Sequence, residues 1–108
     1  MNYSVKSIEP FEKHSKRLIK KYPSLKKEIF ELAQELKANP VQGTAIGSNC
    51  FKIRLSIASK GKGKSGGARI ITYLLIEGRT VYLLDIYDKS EQSNISDKEL
   101  QQLLKEIK

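Results

Sequence analysis

Apolar positions along this chain change period several times, and the changes predict its elements. In residues 2–7, NYSVKS, Tyr3 and Val5 alternate with polar neighbours, as in a short strand with those two side chains facing inward. Ser7 and Pro10 mark the start of a helix, because proline is tolerated in a first turn. Phe11, His14 and Leu18 share one face of that helix, and Lys13, Lys16, Arg17, Lys20 and Lys21 fill the others. Pro23 opens a second helix in which Leu25, Ile29, Leu32 and Leu36 repeat at helical spacing. The Asn39-Pro40 pair ends it, since the residue before proline is pushed out of the helical region. The short link around Tyr22 predicts an antiparallel helical hairpin. Residues 41–49, VQGTAIGSN, are turn-rich and read as a loop.

Three strands follow. Across residues 50–55, Phe51, Ile53 and Leu55 point one way while Lys52 and Arg54 point the other. Residues 68–76, ARIITYLLI, are apolar on both faces and suit a central strand. Glu77-Gly78-Arg79 turns into residues 80–87, TVYLLDIY, where alternation groups Val81, Leu83, Asp85 and Tyr87. Ser96 and Glu99 form a capping-box pattern ahead of Leu100, Leu103, Leu104 and Ile107, an amphipathic last helix. The expected fold is α+β, a single domain over 1–108 in the order β-α-α-β-β-β-α. Its helical hairpin packs on one face of a mainly antiparallel four-stranded sheet. The helices are expected to cover that face alone. The other face then carries Lys52, Arg54, Arg69, Tyr73 and Tyr87, with a lysine loop at its rim.

Charge adds a second theme. Twenty Lys and Arg against twelve Asp and Glu give +8 over 108 residues. Such a surplus says nothing of fold but favours a polyanionic partner. No apolar run approaches the ~20 residues of a membrane span, and MNYSVKSIEP lacks the apolar core of a signal peptide. Cys50 is the single cysteine and His14 the single histidine, which argues against a disulfide framework and a structural zinc site and for a cytoplasmic protein.

The basic residues concentrate in 52–73, KIRLSIASKGKGKSGGARIITY. Lys60, Lys62 and Lys64 alternate with glycines, and Gly66-Gly67 leads into Arg69, so a cationic loop hangs between strands and suits phosphate. ASKGKGKS, residues 58–65, also fits a relaxed phosphate-loop pattern for nucleotides. That pattern requires a helix directly after the Lys-Ser, whereas strand-like ARIITY follows here, so ATP or GTP hydrolysis is rejected.

No serine–histidine–acid or cysteine–histidine set presents itself, paired carboxylates are missing from the expected face, and metal ligands are too few. Lys, Arg and Tyr are plentiful. Such residues suit metal-free RNA cleavage, in which a ribose 2′-hydroxyl attacks the neighbouring phosphate. Arginine forks hold the phosphate oxygens, a lysine among other cations moves toward a useful proton-transfer range, and a tyrosine stacks on a base or relays a proton. Simple RNA binding accounts for the same residues.

FKIR (51–54), SKGKGKSGGARIITY (59–73) and YLLDIYDKSE (82–91) together resemble the RelE/HigB superfamily of bacterial toxins, in the HigB-like branch with a lysine-glycine loop. The resemblance implies a ribosome-dependent mRNA endoribonuclease, needing no cofactor, that stops translation and is neutralised by a co-expressed antitoxin, a helix-turn-helix protein. Carried over by position, Lys52 and Arg54 match the basic pair of the second strand and Arg69 matches the arginine contacting the scissile phosphate. Lys89 falls near the basic residue after the last strand. Many members carry a catalytic tyrosine at the start of the last helix. Here that stretch reads Ser93-Asn94-Ile95-Ser96, and Tyr87 is the candidate to replace it. Lys60, Lys62, Lys64 and Tyr73 are expected to bind RNA and ribosome. Two other functions stay open: a ParE-like toxin of the same fold acting on a protein, and a small basic RNA- or ribosome-binding module.

Overall fold

In the computed structural model, which describes residues 2–61, 63 and 66–107, a mixed sheet separates two unequal helical layers. Strand β1 (Ser4–Ser7) is followed by helices α1 (Glu9–Lys21) and α2 (Leu25–Ala38). Strands β2 (Thr44–Gly47) and β3 (Cys50–Leu55) come next, then a 3₁₀ turn (Ala58–Lys60), β4 (Ala68–Leu75), β5 (Thr80–Asp88) and helix α3 (Asp97–Lys105). The strand order is β1-β5-β4-β3-β2, with β1 parallel to β5 and the other neighbours antiparallel.

The sheet therefore has five strands rather than four. The extra one, β2, lies inside the stretch that reads as a loop from its turn residues. Gly47 sits opposite Cys50, and the two residues between them, Ser48 and Asn49, both take positive φ (56° and 59°). That is the backbone of a tight hairpin turn, whose twist matches the flanking strands. The glycines and small polar residues that suggest a loop are the residues this short hairpin needs.

The helical hairpin forms as its spacing predicts. Phe11 and Leu18 of α1 and Leu25, Leu32 and Leu36 of α2 are buried against Ile53, Ile70, Leu74, Val81, Leu83 and Ile86. Leu18, Leu25 and Leu36 are wholly inaccessible, and each such burial contributes about 1.5–3 kcal/mol. Helix α3 does not join them. Leu100 and Leu103 pack on the opposite face with Cys50, Ile71, Leu84 and Tyr87. The face expected to be open is thus partly roofed by α3, whose apolar stripe has only that side of the sheet left to cover. Its start is fixed by a complete capping box between Ser96 and Glu99.

A bulge in β5 changes the expected alternation. Ile71 pairs with Asp85 but Thr72 pairs with Leu83, so Leu84 is an extra residue. Beyond it the faces swap, and Tyr87 lies with Tyr82 and Leu84 while Ile86 joins Val81 and Leu83.

Candidate active site

Three of the candidate side chains stand in one row across the sheet. Arg54 on β3 pairs with Arg69 on β4, which pairs with Tyr87 on β5, so neighbouring members sit about 4.8 Å apart in the sheet. Ala68 and Ile70 face the helical hairpin, which turns Arg69 between them to the α3 side. There Arg69 is only 5% exposed, and its Nη1 donates to the Ala68 carbonyl (3.1 Å). Tyr87 is equally buried, and its hydroxyl has no hydrogen-bond partner among the described residues. Burial raises the Tyr87 hydroxyl above its ordinary value of 10.0, Arg69 pulls it back, and Asp85 and Glu99 push it further up. Tyr87 is therefore a protonated donor at neutral pH, held beside a guanidinium.

The linker from β5 to α3 engages the surrounding cations. Lys52 Nζ donates to Asn94 Oδ1 (3.3 Å) and Lys89 Nζ donates to the Ser93 carbonyl (3.2 Å). Lys52 also lines a small hollow of about 200 Å³ with Ile46, Asn94 and the first residues of α3. Tyr73 lies farther along, stacked on Tyr82 with ring centroids 6.2 Å apart, beside a cleft that Ser48, Gln101 and Leu104 help to line. The structure thus brings Lys52, Arg54, Arg69, Tyr73 and Tyr87 to one face, with Lys89 at its end.

Lys60 departs from the expectation of a lysine presented to RNA. Its side chain is 9% exposed, and its ammonium donates to Asp88 Oδ1 and to Ser90 Oγ (2.8 Å) while lying 5.4 Å above the centre of the Tyr22 ring. The physical reason is the demand of Asp88, which is completely buried at the end of β5 and needs a counter-charge. Burial alone would raise the Asp88 carboxyl. Hydrogen bonds from Lys60, Ser90 and Tyr22 outweigh it and hold the group far below the ordinary carboxylate range. Lys62 and Lys64 lie outside the described residues.

Sequence reasoning missed two pairings. One is Lys60 with Asp88. The other is His14 Nδ1 on α1, 2.6 Å from Asp85 Oδ1 on β5, beside a cleft of about 390 Å³ between α1 and α3. Asp85 also accepts the Ile86 backbone N–H (2.9 Å). Seventy-one positions separate the two side chains, so only the signal of a lone acid inside the apolar run TVYLLDIY pointed to a partner.

The result is an α+β sheet roofed by one short helix over a row of Arg and Tyr, with Lys around it. The family model described as RelE toxin of the RelE/RelB toxin-antitoxin system matches residues 11–108, and the chain belongs to that family. Among solved structures, a mutant of E. coli toxin RelE in the free state aligns over 100% of both chains with a TM-score of 0.66 and 16% identity, a likeness of fold. No described helix is long and apolar enough to cross a membrane.

Proposed function

We propose that this toxin is an endoribonuclease that cuts mRNA on the ribosome without a metal, in the HigB-like, lysine-glycine-loop branch of its family. A cognate antitoxin with a helix-turn-helix fold holds it in check in the cytoplasm. The observation that carries the reading is the Arg69–Tyr87 pair, a guanidinium beside a protonated hydroxyl, with Lys52, Arg54 and Lys89 around it.

In the proposed reaction the ribose O2′ bonds to the adjacent phosphorus and gives its proton to solvent water, the P–O5′ bond breaks, and O5′ takes a proton from the Tyr87 hydroxyl, which solvent then restores. Charge accumulates on the non-bridging oxygens, where the Arg69 fork is suited to hold it. Tyr87, kept neutral by burial, is suited to donate toward O5′. Lys52, Arg54 and Lys89 add the field that draws the strand in. Tyr73 offers a ring on which a base stacks. Because α3 and the 89–96 linker roof the pair, RNA entry involves their displacement.

The test is primer extension on mRNA held by ribosomes, with the parent and Arg69→Ala. The parent cuts, and the variant cuts about 10²–10³-fold more slowly, the usual cost of one preorganised donor. Parental cutting by a folded Arg69→Ala protein overturns the site. Growth arrest without any cleavage moves the protein to the ParE-like reading.

A further inference from the structure

Between Lys60 and Gly67 the chain leaves the 3₁₀ turn and returns as β4, and both ends of this excursion close on one point, the end of β5. At the outgoing end, Lys60 reaches Asp88 and Ser90. At the returning end, Ala68 pairs with Asp88 and the Lys89 N–H donates to the Gly67 carbonyl (3.0 Å). Gly67 approaches so closely that a Cβ there would collide with the Leu55 carbonyl oxygen, which is why glycine stands at this joint.

Both partners of the Lys60–Asp88 contact have further anchors. Ile57 is buried, the Ala58 N–H donates to Glu28 on α2 (2.8 Å), and Ser59 bonds Ser24 at the head of the same helix (2.9 Å). Asp88 Oδ1 additionally accepts the Ser90 N–H (2.9 Å) and hydroxyl (2.7 Å), while Oδ2 accepts from Tyr22 (3.1 Å). The residues flanking the clamp are the ones the nuclease reading needs. Arg69 follows Ala68, and Tyr87 and Lys89 bracket Asp88.

We infer that Lys60 is a positioning residue: its ammonium, locked on Asp88, staples the 3₁₀ turn to the end of β5 and so holds Lys89, and the strand end that carries Arg69 and Tyr87, in place. The inference rests on the nuclease reading for its catalytic consequence. A cation already satisfied by a buried carboxylate, a hydroxyl and an aromatic face has little left to offer a phosphate. Its effect is geometric, and misplacing reacting groups by about 1 Å costs on the order of 10²-fold in rate.

The experiment compares the parent with Lys60→Met and Lys60→Arg by single-turnover cleavage at saturating ribosomes, ribosome affinity at several salt concentrations, and amide hydrogen exchange. Lys60→Met is expected to lose roughly 10²-fold in rate. Its affinity and salt slope should stay parental, and the Lys89 and Ser90 amides should exchange faster. Lys60→Arg keeps the buried cation, so it should fold if the Met variant does not, regain amide protection and recover most of the rate. Unchanged rate with a salt slope smaller by about 0.7 would make Lys60 a phosphate contact and overturn the inference. So would unchanged rate in a merely less stable Met variant, or an Arg variant with protected amides and no cleavage. If the parent itself does not cut, the nuclease reading fails separately, and parental exchange at Lys89 and Ser90 in Lys60→Met would then refute the clamp.

Discussion

Arg69 and Tyr87 face each other across the β4–β5 ladder, one strand spacing apart, and both are shut away from solvent. A buried guanidinium beside a buried hydroxyl without a described partner is a costly arrangement for a small protein. Stability alone would not select it.

That cost yields a discriminating prediction for Tyr87→Phe. Removing the hydroxyl leaves the ring packed against Leu100 and Leu103, so the midpoint of urea unfolding should stay level or rise, by up to about 1 kcal/mol in stability. Cleavage of ribosome-bound mRNA should nevertheless fall about 10²-fold, as when a positioned acid is deleted. A Phe variant that is clearly less stable and still cuts at the parental rate would show the hydroxyl to be structural.

How far the sequence discloses this site depends on the range of the interaction. Alternation is a local property, and it places Lys52, Arg54, Arg69 and Tyr73 on their common face. Tyr87 reaches that face through the Leu84 bulge, because its position shifts with one extra residue that no periodicity reveals. The side chosen by α3 is a tertiary decision: its leucine stripe looks the same whichever face of the sheet it covers. Lys60 is the sharpest case. Among alternating lysines and glycines it is indistinguishable from Lys62 and Lys64, and only the buried carboxylate 28 residues later separates it. The tight Ser48-Asn49 turn hides β2 for a related reason, since the residues that permit positive φ are also those of open loops.

The Asp88 network predicts a particular acid sensitivity. Its carboxyl is held below the ordinary 3.8 when folded, so the folded state takes up a proton less readily than the unfolded chain. The stabilisation is complete above about pH 4 and is lost as pH falls from there through the folded value. In Asp88→Asn the Lys60 ammonium is left without its counter-charge, at a cost of about 3–5 kcal/mol near neutrality. Urea unfolding of both proteins between pH 7 and pH 3 should show this gap constant down to about pH 4 and shrinking below it. A gap that does not narrow in acid would mean that Asp88 is not ionised in the fold.

Lys62 and Lys64 supply the converse of the clamp. With Lys60 engaged by Asp88, the loop's proposed contribution to ribosomal RNA rests on these two charges. Each phosphate contact to a single strand contributes about 0.7 to the slope of log affinity against log salt. Lys62→Gln with Lys64→Gln should therefore flatten that slope by about 1.4 and weaken association most at low salt, with single-turnover cleavage at saturating ribosomes unchanged. The contrast with Lys60→Met is the informative part, because three lysines in one short motif are assigned two different tasks. Binding isotherms for the double Gln variant at several salt concentrations decide the assignment. A parental slope would remove both lysines from the interface, and a lost cleavage rate with intact binding would place the chemistry in the loop itself.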